Sequence, residues 1–187
     1  MVVQSRALTY ADLLRLRETR NEQLELIDGE LFVTPSPSPL HQYVSGRLEF
    51  LFRQLVIDLG HGLLFSAPLD VKLAEDTVVQ PDLILYLPDR RPLVTTTAVE
   101  GAPSLVVEIL SPSTRRYDLD KKRRLYAEHG VPENWIVDTL SLAVTVCSDP
   151  REGRYRSEWV ATDVATSVLI PDFTVDLDEL FAPIPDE

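Results

Sequence analysis

The chain has 187 residues, 44% of them apolar and 26% charged, which is enough for one domain with a real core. No apolar run reaches the roughly 18 residues of a membrane helix. The N-terminus carries no signal-peptide pattern, so the expected compartment is the cytoplasm. A net charge of -12 argues against a protein that grips nucleic acid by bulk charge, and the lone Cys147 has no partner for an internal disulfide. Cys147 sits in an apolar strand pattern and reads as a small core residue.

Thr9 to Thr19 has helical character, with Leu13, Leu14 and Leu16 apolar and Thr9 placed to cap the N-terminus. Leu24 to Val33, broken by Asp28-Gly29, reads as a β-hairpin with a tight turn. The alternating prolines of Pro35 to Pro39 form a stiff connector. His41 to Leu59 is the clearest amphipathic helix: Val44, Leu48, Leu51, Leu55 and Leu59 recur at helical spacing, and Gly60 closes it. Strands are expected at Leu63 to Phe65, Leu69 to Leu73, Val78 to Tyr86 and Ser104 to Leu110. Pro88 to Pro103 is a loop or holds a short helix. A second helix is expected from Asp118 to His129, closed by Gly130. Strands follow at Asn134 to Asp138, Leu142 to Ser148, Tyr155 to Val160 and Ser167 to Leu169, then a helical turn at Asp176 to Phe181. The pattern is α/β, with helices flanking a mixed sheet.

Asp82 and Glu108 stand out because each interrupts a run that reads as a buried strand. A carboxylate there costs several kcal/mol unless donors or a cation compensate it. Two on consecutive strands suggest one site, and a divalent cation is the usual compensator for converging carboxylates. Without it, the pair is expected to repel. Arg115, Arg116, Lys121, Lys122, Arg123 and Arg124 crowd the segment after Glu108, as a basic patch or as a solvated helix face. Asp118, Lys122 and Tyr126 are spaced four apart and so share one helical face, with Lys121 turned about 100° away.

Several segments, in this order, resemble the Uma family of bacterial restriction-endonuclease-like proteins, within the PD-(D/E)XK nuclease superfamily. They are Glu25-Leu26-Ile27-Asp28-Gly29-Glu30, the prolines followed by His41-Gln42, Val79-Gln80-Pro81-Asp82-Leu83, Glu100-Gly101-Ala102-Pro103, Val107 to Thr114, and Gly130 to Asp138. The resemblance spans nearly the whole chain. It implies a restriction-endonuclease-like domain over residues 1–187, with an N-terminal helix and hairpin as an extension. It also implies Mg²⁺ or Mn²⁺ held by Asp82 and Glu108, DNA as substrate, and pairing into a homodimer or higher homo-oligomer. The superfamily lysine falls two residues after the acidic residue, where this chain has Leu110; Lys122 on the following helix is the expected replacement. Asn134 departs from the tyrosine usual before Trp135.

Asp70 is a further candidate metal ligand if its strand borders the site. Glu25 is read as exposed or near the cleft, where it is a further candidate for the substrate side. His41, Gln42, Tyr126, Arg115 and Arg116 are candidates for the substrate side, with packing the plainer role for Tyr126; Glu49 is a weaker candidate on the long helix. No Gly-rich phosphate loop, paired Cys/His zinc pattern or nucleophile elbow is present in the sequence. The competing reading is a catalytically inactive nucleic-acid- or protein-binding module that retains the fold, which the acidic charge favours.

Overall fold

The computed structural model describes residues 6–34, 36–58, 62–96, 98–111, 118–170 and 172–184. The chain begins with α1 (Tyr10–Arg17), where Thr9 and Asp12 cap each other's backbone N–H groups in a capping box. The hairpin of β1 (Gln23–Ile27) and β2 (Glu30–Thr34) turns at Asp28 and Gly29, with φ of 52° and 76°. Two positive φ values in a two-residue turn match the right-handed twist of the strands, and Asp-Gly supplies them at little cost. A Cβ on Gly29 would also lie 2.6 Å from the Ala7 side chain.

The long helix α2 runs Pro39–Asp58; Leu59 and Gly60 lie outside the described residues. Then come β3 (Leu63–Ser66), β4 (Val71–Ala74), β5 (Thr77–Val79) and β6 (Leu83–Tyr86). The expected single strand Val78 to Tyr86 is two strands in two different sheets, broken at Gln80-Pro81-Asp82. Pro81 cannot donate to a ladder, which favours a crossing between sheets there. The Pro88 to Pro103 segment holds a 3₁₀ turn at Arg91–Leu93 and the short β7 (Val99–Glu100). After β8 (Leu105–Ile109), one π-helical turn at Asp118–Lys122 leads into α3 (Arg123–Glu128). The rest is β9 (Glu133–Asp138), β10 (Ala143–Arg151), β11 (Arg154–Ala161), β12 (Val164–Thr166), β13 (Thr174–Asp176) and α4 (Leu177–Leu180).

The larger sheet has the order β11-β10-β9-β8-β6-β3 and is mixed: β8 and β9 are parallel, the other pairs antiparallel. A parallel pair needs a crossover, which the π turn and α3 provide. The second sheet, β2-β1-β5-β4-β7, is built from the N-terminal hairpin and its neighbours. The period-2 alternation of β8 assigns its faces. Leu105, Val107 and Ile109 pack with Val44, Leu48 and Phe52 of α2, together with Trp135 and Phe173. Val106 faces the opposite way, with Leu125 and Tyr126 of α3 and with Ile27, Val71 and Val79 of the second sheet. Glu108 shares that second face by alternation, between the large sheet, α3 and the hairpin.

Ser167 to Leu169 is not a strand. Its segment turns so that Ser167 Oγ and the N–H groups of Val168 and Leu169 donate to Glu133 Oε2, at 3.1, 2.9 and 2.8 Å. Trp135 Nε1 donates to the other oxygen. The fully buried Glu133 is thus held by four neutral donors.

Two side chains on β9 and β10 yield predictions. Asn134 is 1% exposed, and among the described residues neither its Oδ1 nor its Nδ2 has a hydrogen-bond partner. A buried unpaired amide costs about 1–3 kcal/mol. Asn134→Val, which suits a strand, is expected to raise stability by about that amount in denaturant melts; a loss would show that the amide has a structural partner. Burial pushes the Cys147 thiol up to about 12, with Glu158 adding to the effect. A thiol that far above neutrality supplies almost no thiolate at pH 8. Cys147 is therefore expected to resist thiol reagents in the native state and to react once guanidinium unfolds the protein; native-state labelling at the unfolded rate would contradict its burial.

Candidate active site

A cavity of about 300 Å³ opens between the hairpin, the start of α2, the β5–β6 crossing and the end of β8; its walls include Glu25, His41, Gln42, Gln80, Asp82, Glu108 and Lys122. Each arrives there for a local reason. Glu108 points to this side because Val107 and Ile109 take the other face. Asp82 is fixed at the break between the sheets: its Oδ2 accepts the Ile109 N–H at 2.7 Å and lies 3.3 Å from His41 Nε2. His41 is in the first turn of α2, beside the β5–β6 crossing.

Lys122 is almost fully buried. Its Nζ is 3.0 Å from Glu25 Oε1 and 3.2 and 3.3 Å from the two oxygens of Glu108. Tyr126, one turn later, donates its hydroxyl to Glu108 Oε1. The shared face expected for Lys122 and Tyr126 is present, because Lys122, the last residue of the π turn, already has α-region backbone (φ -66°, ψ -40°) and leads directly into α3. Lys121 points elsewhere, onto the Phe32 ring at 4.1 Å and to Glu30 at 3.5 Å.

The structure changes several expectations. Asp82 is not inside a strand, and it and Glu108 are each engaged by donors of their own. Asp70 does not reach the cavity. Both its oxygens are held by Arg17, at 2.6 and 2.9 Å, and Gln80 Nε2 donates to it at 2.8 Å. It is therefore set aside as a metal ligand. Of the two readings of Glu25, exposed or near the cleft, the structure gives the second: it lines the cavity and is buried, because β1 is covered on both faces. Tyr126 both packs and hydrogen-bonds the site. Glu49 pairs with Arg53 on α2, outside the cavity. Arg115 and Arg116 lie outside the described residues.

Gln80 carries a role that the sequence reading missed. Its N–H donates to Glu25 Oε1 at 2.7 Å while its side chain holds Asp70, so it ties the cavity to the Arg17–Asp70 pair. Its place directly before Pro81-Asp82 was the available signal.

Among the described residues, no three His, Cys, Asp or Glu side chains are grouped as a ready metal cage. Asp82 and Glu108 nevertheless offer hard oxygen donors beside the Ile109 peptide, and Glu108 already holds a cation, the lysine ammonium. Two carboxylates completed by water suit Mg²⁺ or Mn²⁺ better than they suit a zinc site or a calcium cage.

The mixed sheets flanked by helices, with this cavity at their junction, define a restriction-endonuclease-like α/β fold. A crystal structure described as "a putative nuclease belonging to DUF820" from Anabaena variabilis ATCC 29413 superposes with a TM-score of 0.76, covering 94% of this chain and 98% of that one at 19% identity. The model of the Uma2 family, described as "Putative restriction endonuclease", matches residues 10–178, and the chain belongs to that family. A Synechocystis sp. (strain ATCC 27184 / PCC 6803 / Kazusa) relative, "Uncharacterized protein slr1290", is 30% identical over 131 residues, 70% of this chain and 67% of the relative. No helix among the described residues is long and apolar enough to cross a membrane.

The buried ion cluster makes a stability prediction. Lys122→Ala leaves Glu25 and Glu108 without their shared ammonium, and breaking such a buried pair costs about 3–5 kcal/mol. Adding Glu25→Gln is expected to recover part of that loss. Urea midpoints of the two variants test this; a Lys122→Ala cost under about 1 kcal/mol would mean that the cluster is well solvated.

Proposed function

We propose that this protein is a Mg²⁺- or Mn²⁺-dependent endodeoxyribonuclease that hydrolyses phosphodiester bonds through Asp82, Glu108 and Lys122. The observation that carries this reading is the meeting of these three side chains in one cavity, although they come from a sheet crossing, a strand and a helix. Among the described residues, three carboxylates and one lysine line that cavity. Such a wall repels a phosphate until a cation reverses its sign, since two unit charges 4 Å apart interact by about 4 kcal/mol in a partly screened site. A bound divalent cation supplies neutralisation of the nonbridging oxygens and a lowered pKa for the attacking water. Asp82 and Glu108 are the residues that would hold it. The Ile109 N–H and His41 keep the Asp82 carboxylate oriented. Tyr126 fixes the Glu108 carboxylate. Lys122 places a positive charge where the phosphate's negative charge builds up during attack. His41 and Gln42 line the cavity wall on α2, where a substrate backbone would pass. Cutting both strands in one encounter takes two such sites, so the same reading calls for a homodimer or higher homo-oligomer acting in the cytoplasm.

The test is nicking of supercoiled plasmid with Mg²⁺ or Mn²⁺ at low salt, where an acidic protein binds DNA best. Lys122→Gln is expected to lower the rate about 100-fold or more, the scale of losing one transition-state contact. Lys121→Ala is expected to leave it near wild type. Equal losses in both would reduce the basic segment to a phosphate grip. No cleavage of varied DNA substrates by metal-loaded wild type would favour an inactive binding module on the same fold.

A further inference from the structure

The ammonium of Lys122 sits 3.2 and 3.3 Å from the two oxygens of Glu108, where a cation shared with Asp82 would have to be bound. It has a second acceptor. Glu25 Oε1 is 3.0 Å away on the hairpin, and the Gln80 N–H holds that same oxygen in place at 2.7 Å. All three ionic groups are buried, so each ammonium–carboxylate contact is only weakly screened.

We infer that Lys122 and the divalent cation compete for Glu108, and that Glu25 is a positioning residue that holds the lysine when Glu108 is given to the cation. This rests on the metal-assisted reading above and deepens it. The charge accounting sets the direction of each effect. Removing the lysine takes a competitor from Glu108 and leaves buried negative charge that a divalent cation neutralises, so metal binds more tightly. Neutralising Glu25 removes one of the lysine's acceptors, so the lysine holds Glu108 harder and metal binds more weakly. Glu25 acts through the lysine rather than as a ligand, so its effect should vanish when the lysine is absent. Glu25 and Lys122 thereby set how much free cation the site requires, a property separate from the chemical step.

Isothermal titration of the full chain with Mn²⁺ alone tests this. Lys122→Met is expected to tighten Mn²⁺ binding at least tenfold. Lys122→Gln removes the charge but keeps a polar hydrogen-bonding head; it guards against a folding defect and should move the same way. Glu25→Gln alone is expected to weaken binding at least threefold, but to change it less than threefold in the Lys122→Met background. Wild type and Lys122→Met binding equally, or the variant binding more weakly, would overturn the competition while leaving the metal site standing. An equal loss from Glu25→Gln in both backgrounds would make Glu25 a ligand and overturn its positioning role. No Mn²⁺ binding by wild type or any variant would overturn both the competition and the metal-assisted reading. Binding by the Lys122 variants but not by wild type would support the competition in its strongest form.

Discussion

A buried ammonium shared by two carboxylates is the constraint around which the molecule is organised. Lys122 belongs to the crossover between β8 and β9, Glu108 to a central strand of the large sheet, and Glu25 to the hairpin of the second sheet. Burying any one of these charges alone would cost several kcal/mol. They are tolerable only together, so the two sheets and the crossover must meet at a fixed point. The apolar contacts on that face, from Ile27 and Val79 to Val106 and Tyr126, supply the adhesion. The charges supply the register.

Glu133 shows what a purely structural buried carboxylate looks like in the same fold. It is less exposed than Glu108, yet its oxygens are occupied by an indole, a hydroxyl and two backbone amides. None of those donors carries a charge, and all come from segments that must pack there anyway. Glu108 is held instead by an ammonium and a phenol on a flexible-stemmed and an aromatic side chain from one helical face. The difference is one of charge and of alternatives: the donors to Glu133 are neutral, whereas the lysine at Glu108 has a second acceptor within reach in Glu25.

Much of this was legible from local pattern. The Thr9 cap, the Asp-Gly hairpin, the long amphipathic helix and the shared face of Lys122 and Tyr126 each depend on residues within a few positions of one another. What was hidden depends on partners far away. Alternation in β1 left Glu25 either exposed or near the cleft, because nothing local shows that the second face of β1 is covered. Asp70 looked like a ligand because its partner, Arg17, is 53 residues away. The apolar run from Val78 to Tyr86 concealed a change of sheet, although Pro81 marked where it falls. Gln80 was hidden because the group it turns to Glu25 is a backbone N–H, which no side-chain motif displays.

The separation of the cluster's members along the chain has a consequence for synthesis. Glu25 and Lys122 are 97 residues apart. A chain emerging from the ribosome displays its hairpin carboxylate in water long before the lysine exists to meet it. The parallel partner of β8 is β9, further on still. The cavity therefore cannot be complete until Lys122, its last lining residue, has been made. Whatever chemistry the cavity performs is withheld from any nascent chain that ends before that lysine.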